Sequence, residues 1–230
     1  MCGRYASSAS QELLEDVYDF DEVVALTPPS WNVAPTDQVR AVVERVGEDG
    51  PRRKLVALTW GLVPSWSKDA RGGARLINAR VETVATKPAF RRAFATRRCL
   101  LPADGYYEWQ ATGARQGGKP VKQPWFIHPA DPGLLTMAGI YEFWKAPDGT
   151  WLTTCSIITT TATDQLGHLH DRMPMVVAPS VWDNWLDPGF AGDPHELLHV
   201  PALELTAHPV STAVGNVANN GPELVEPLGE

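Results

Sequence analysis

Short apolar runs alternate with turn-forming residues every eight to fifteen positions or so, a spacing that predicts strands more often than helices. Ser10 ahead of Gln11-Glu12-Leu13-Leu14 reads as an N-cap opening a short helix to about Phe20. A proline-rich loop follows from Thr27 to Pro35. Residues 39–45 and 54–62 are strand-like on either side of the turn Glu48-Asp49-Gly50-Pro51, and 98–110, 124–128, 134–144 and 151–161 continue the series. Pro147-Asp148-Gly149 between the last two is a hairpin signal. Helical pieces are expected near 87–95, 163–169 and 179–186, with no internal repeat, linker or low-complexity tract. The expected architecture is a single α+β domain over 1–230, mostly an antiparallel, barrel-like sheet with short helices. Twenty prolines and nineteen glycines leave many loops, the usual seat of chemistry.

Composition removes several classes of function. With 230 residues, 43% hydrophobic and 20% charged, and a mean hydropathy of −0.20, the chain reads as soluble and globular. It has no apolar run of membrane-spanning length, and Glu12, Glu15, Asp16 and Asp19 stand where a secretory signal would be basic and apolar. No membrane partner is expected. Cys2, Cys99 and Cys155 are too few and too unevenly placed for a disulfide framework or a four-ligand zinc site, so reduced thiols and a cytoplasmic location are expected. The net charge of −7 is far from even: residues 40–122 hold seventeen Lys and Arg against seven acids, and residues 173–230 hold eight acids and no Lys or Arg. Such a basic middle third could be one face that meets phosphates, or a solvated face with structural ion pairs. Charge alone favours the second.

The chain opens Met1-Cys2-Gly3-Arg4-Tyr5, and removal of Met1 would put an α-amine and a thiol on one residue. That amine, with a reference pKa of about 7.7 to 8.0, is partly neutral at pH 7; the thiol, at about 8.5, could be pulled lower by a cation such as Arg4. Two chemistries are open to such a residue. It can attack acyl groups with its own amine as base, or trap an aldehyde as an imine that the thiol closes to a thiazolidine. Three further segments carry candidate groups: Asn78-Ala79-Arg80-Val81-Glu82-Thr83, Asp104-Gly105-Tyr106-Tyr107-Glu108-Trp109 and His170-Asp171-Arg172-Met173-Pro174. Glu108 among Tyr106, Tyr107 and Trp109 would be desolvated, raising its pKa towards neutrality.

Taken in order, MCGRY, WNVAPT, WGLVPSW, INARVET, CLLPADGYYEW, LHDRMP and HPVSTAVGNVANNGPEL resemble the SOS response-associated peptidase (SRAP) family, whose members shield abasic sites in single-stranded DNA by covalent attachment. The resemblance runs from Cys2 to about Leu224. It implies a single α+β domain with a positively charged groove, no cofactor and no metal. On matching positions it makes Cys2 the nucleophile and adds Asn78, Glu108 and His170 as catalytic residues. The Cys2 amine would attack the ring-opened sugar and the thiolate would close the ring, while Glu108 and His170 move protons and Asn78 holds the amine and sugar. An associated strand-cleaving lyase or thiol autopeptidase activity belongs to the same reading. The implied partner is single-stranded DNA containing abasic sites, met by a monomer that associates with the nucleoid when bound. Arg4 and Arg80 lie beside the reacting centre in sequence, Trp66 is a stacking candidate, and Arg172 and Asn32 are groove candidates. Trp60 reads as core. Some family members carry a second Trp where Ser67 stands.

Two motifs compete. His195-Glu196-Leu197-Leu198-His199 matches a zinc-protease pattern, but Pro201 would stop its helix and only the distant Glu223 could serve as a third ligand. Class II glutamine amidotransferases also begin Met-Cys-Gly, yet nothing after Gly3 supports that likeness. His168-Leu169-His170 likewise resembles a metal pair, though the family resemblance places a catalytic role on His170 and implies no metal. Cys99 and Cys155 lie in apolar strand-like runs and read as buried small hydrophobes.

Overall fold

In a computed structural model describing residues 2–162, 166–198 and 204–229, the elements follow the turn signals closely. After β1 (Tyr5–Ser7), Ser10 Oγ accepts from Leu13 N at 3.2 Å and opens α1 (Gln11–Tyr18). The short strands β2 (Glu22–Val23) and β3 (Ser30–Val33) lead to the hairpin β4 (Gln38–Gly47) and β5 (Gly50–Trp60), where Gly50 supplies φ 110°. A loop with a 3-10 turn at Ala70–Arg75 reaches β6 (Asn78–Arg80), and α2 (Arg91–Thr96) precedes β7 (Arg98–Ala103). Then come β8 (Gly105–Gln116), β9 (Lys119–Pro129), β10 (Leu135–Lys145), β11 (Trp151–Thr161) and β12 (Arg172–Pro174). The described chain closes with α3 (Trp182–Leu186) and β13 (Leu205–Pro209).

Five strands form a closed barrel. β5, β4, β7, β10 and β11 pair antiparallel in that order, and the parallel pairs Thr154↔Thr59 and Cys155↔Trp60 join β11 back to β5. Closure removes the sheet edges that would otherwise invite pairing with other chains. Alternation sends Val39, Ala41, Val43, Leu58, Trp60 and Ile157 inward, and Cys2 and Tyr5 are buried in the same cluster. Tyr5 meets the Trp60 ring edge-on, with centroids 5.2 Å apart. Leu14, Tyr18, Phe94, Trp182 and Trp185, carried on the three helices, cover the outer face of the barrel. A second antiparallel sheet, β13-β9-β8-β1-β3, carries Glu108 against the barrel core. The fold is α+β, mostly β, in one domain.

Three local readings change. The run 98–110 is two strands in different sheets, broken at Asp104, whose Oδ2 accepts from Ser8 N at 2.6 Å. Strand 124–128 is one arm of a longer hairpin, since Gly117 and Gly118 at φ 57° and 79° turn β8 into β9. Helix was expected over 163–169; residues 163–165 lie outside the described residues, and Leu166–Leu169 form a turn. Among the described residues no helix is long and apolar enough to cross a membrane.

Candidate active site

β11 is the frame of the site. Its C-terminal half runs between β6, with Ile157↔Asn78 and Thr159↔Arg80, and β12, with Thr159↔Pro174 and Thr161↔Arg172. Asn78 therefore approaches from one side, and His170, two residues before β12, from the other. Arg172 ties the two flanks together: Nη1 and Nη2 donate to Glu82 Oε1 and Oε2 at 2.6 and 3.0 Å, and Nη2 also donates to Thr159 O. Its charge is thus engaged in a bidentate pair.

Asn78 Nδ2 donates to Cys2 O at 2.7 Å, fixing the backbone at Cys2. Its Oδ1 is buried with no hydrogen-bond partner among the described residues. An unused buried acceptor typically costs about 1 to 3 kcal/mol. Cys2 is fully buried, and burial, followed by the nearby Glu108 carboxylate, pushes its thiol well above the ordinary range. The backbone N–H of Arg4 works weakly the other way. The expected help from the Arg4 cation is absent because its guanidinium points elsewhere: Nη1 donates to Asn32 Oδ1 at 2.7 Å and to Val214 O at 2.8 Å, and the group lies over Trp109.

Glu108 shares a strand face with Tyr106, whereas Tyr107 and Trp109 point to the opposite side and pack with Phe126, Val210 and Val214. Its desolvation therefore comes from the Tyr106 and Cys2 side, not from all three aromatics. Burial raises the carboxyl from 4.5 to about 7. In turn, burial, with Cys2 and Glu108 adding to it, raises the Tyr106 hydroxyl.

His170 Nδ1 lies 2.9 Å from Arg172 N and 2.8 Å from Asp171 Oδ1, contacts that ask opposite things of one nitrogen. A backbone N–H can only donate, whereas the exposed Asp171 carboxylate has water to turn to. The proton of the neutral ring therefore belongs on Nε2. Burial, mainly, lowers the His170 pKa and favours this neutral form.

A family model described as SOS response associated peptidase (SRAP) matches residues 1–217. The chain belongs to that family. It is 36% identical over 231 residues to the abasic site processing protein YoaM of Bacillus subtilis (strain 168), covering 98% of both chains. Identity with the abasic site processing protein YedK of Escherichia coli (strain K12) is 35% over 247 residues, covering 99% of this chain and 100% of that one. A crystal structure of a protein from Bacteroides thetaiotaomicron shares the fold with a TM-score of 0.81 at 24% identity, covering 99% of this chain and 100% of the other.

Within this SRAP domain the remaining candidates separate by exposure. Arg80 is exposed at the end of β6 and makes no ion pair among the described residues. Trp66 is 68% exposed, on a loop fastened where Trp144 Nε1 donates to Ser67 O at 2.8 Å. Asn32 is buried, and its Nδ2 donates to Asn216 O and Asn219 O, so it joins the WNVAPT segment to the HPVSTAVGNVANNGPEL segment. Asn32 and Arg172 are thus buried ties and Arg4 a half-buried one, while Arg80 and Trp66 face outward. Trp60 is core, its Nε1 donating to Ile77 O at 2.9 Å. His195 belongs to a 3-10 turn at Pro194–Leu197 and its Nε2 meets Val81 O at 2.9 Å, while His199 lies outside the described residues. Among the described residues no group of three or more His, Cys, Asp or Glu could hold a metal ion. Glu82 is the site residue that sequence reasoning passed over. Its signal was available, since INARVET and HDRMP each place one charge of a complementary pair beside a candidate catalytic residue.

Proposed function

We propose that the protein processes abasic sites in single-stranded DNA by joining them covalently to Cys2 once Met1 is removed, without a cofactor. The Cys2 amine attacks the aldehyde carbon of the ring-opened sugar, and the resulting carbinolamine loses water to form an imine. The thiol then adds across the C=N bond, sulfur to carbon and proton to nitrogen, closing a thiazolidine. One water is released overall and nothing is oxidised or reduced.

The observation that carries this reading is a carboxyl with a pKa near 7, Glu108, against a Cys2 whose carbonyl is clamped by Asn78. Glu108 can protonate the departing hydroxyl and then accept the thiol proton as sulfur attacks. Asn78 Oδ1 is the natural acceptor for the Cys2 amine, holding its lone pair toward the sugar. Neutral His170, with its proton on Nε2, can serve the sugar oxygens. The raised thiol pKa keeps sulfur protonated until the imine has formed, so the amine acts first.

The test mixes purified protein with single-stranded DNA carrying one abasic site, followed by denaturing electrophoresis and intact mass. The expected product has the summed mass less one water, and it disappears with Cys2→Ala or with an N-terminal tag that blocks the amine. No adduct from protein whose free N-terminus is verified as Cys2 would overturn the reading, and hydrolysis of glutamine or peptide by that protein would favour acyl transfer.

A further inference from the structure

Two adjoining grooves lie outside the Cys2 site. One is lined by Pro64, Trp66, Pro88, Arg91 and Arg92, the other by Arg97, Phe143, Lys145 and Trp151, and Ser65, Arg92 and Glu142 belong to both. Their tryptophans are 68% and 62% exposed, unusual for side chains of that size. Cations stand among them: Lys145 Nζ lies 5.7 Å from the Trp151 ring centroid, and Arg45 reaches over Phe143 at 5.1 Å. The sole carboxylate lining either groove among the described residues, Glu142, is buried and paired with Arg97 at 2.7 Å. Arg91 and Arg92 are exposed and form no ion pair there. The result is a strip with aromatic faces at intervals and net positive charge between them.

We infer that this strip is an accessory path for single-stranded nucleic acid that runs on from the stacking candidate Trp66, in which Trp151 stacks an unpaired base and Arg91, Arg92 and Lys145 meet phosphates. It rests on the DNA-binding reading above and extends it away from Cys2. Trp151 begins the strand β11 whose residue Ile157 pairs with Asn78, so the strip ends about 20 Å along that strand from the candidate active site. Several nucleotides of extended strand cover that span. Exposed aromatics suit single strands because only unpaired bases offer both faces, and stacking accepts any base. An acidic polypeptide would satisfy the cations and leave the tryptophan faces without a matched partner.

The experiment compares binding of oligothymidylates without abasic sites, about 5 and about 20 nucleotides long. The wild-type protein is expected to bind the longer one more tightly, with quenching of tryptophan fluorescence. Trp151→Ala is expected to remove most of that difference, about tenfold, and Lys145→Glu to reduce it with a shallower salt dependence. Trp151 and Lys145 are exposed, so both variants should keep the wild-type melting temperature. Equal loss at both lengths, no loss at either, or tight binding of polyglutamate in place of the longer oligothymidylate would overturn the inference. Crosslinking of an abasic 5-mer by wild-type protein reports separately on the Cys2 chemistry: its failure beside an intact length effect sinks the covalent reading alone.

Discussion

Glu108 is held at a cost to the fold. Between pH 4.5 and 7 the folded chain keeps a proton that the unfolded chain has lost, so stability falls as pH rises through that window and levels off above it. The penalty is on the order of 3 kcal/mol at pH 8 and absent below pH 4.5. Glu108→Gln, which cannot ionise, should therefore melt higher than wild type at pH 8 and level with it at pH 4, as measured by thermal denaturation across pH. The same substitution should erase an inflection near pH 7 in the rate of adduct formation. A stability difference independent of pH would show that Glu108 is not the titrating group. That this carboxyl would be desolvated and its pKa raised was legible in the sequence. Which aromatics desolvate it was not, because neighbours along a strand point alternately to opposite faces and only Tyr106 shares its side. The direction of Arg4 was equally hidden: its partners, Asn32 and Val214, come from segments remote in the chain.

The loop from Gly61 to Ile77 owes its shape to two glycines. Gly61 has φ 134°, and a Cβ on Gly73 would lie 2.6 Å from Gly61 O and 2.9 Å from Val63 Cγ2, so the two backbones touch. That contact returns the chain to β6 in the register that sets Asn78 beside Ile157. Gly73→Ala should cost roughly 1 to 3 kcal/mol through overpacking, read as a lower denaturant midpoint, and should slow adduct formation by moving Asn78. A wild-type midpoint would mean that the loop can yield without loss. Elements whose ends carry local signals were legible: Ser10 caps α1, and Gly50 and Gly149 turn their hairpins. The Gly117-Gly118 turn was equally local and went unread, which shortened the β8–β9 hairpin. The break at Asp104 also carried a local signal, the Asp104-Gly105 pair, which went unread; the hydrogen bond to Ser8 and the change of sheet that accompany it did not show in the sequence. The closing β5–β11 seam is likewise invisible to periodicity, since a parallel pair nearly a hundred residues apart leaves no mark on either strand.

Across the whole molecule the basic excess of residues 40–122 serves two purposes that counting cannot separate. Arg40 and Arg98 are buried and donate to backbone carbonyls: Arg40 to Ala9 O and Thr27 O, Arg98 to Phe94 O, Ala95 O, Trp185 O and Asp187 O. These two cations hold the barrel to its surroundings and are not placed to meet a phosphate. Arg80, in contrast, is exposed on the strand that carries Asn78. The two kinds of arginine should separate in a salt titration. Binding of single-stranded DNA weakens with salt by about 0.7 in logarithmic slope for each phosphate contact, so Arg80→Ala should lower affinity and flatten the slope by about that amount while leaving the melting temperature unchanged. Arg98→Ala removes the donor that several buried carbonyls share, so it should lower the melting temperature, and whatever folded protein remains should keep the wild-type slope. An Arg80 variant with the full wild-type slope would place the phosphates elsewhere. The positive groove that the family resemblance implies would then have to be sought among the remaining exposed cations.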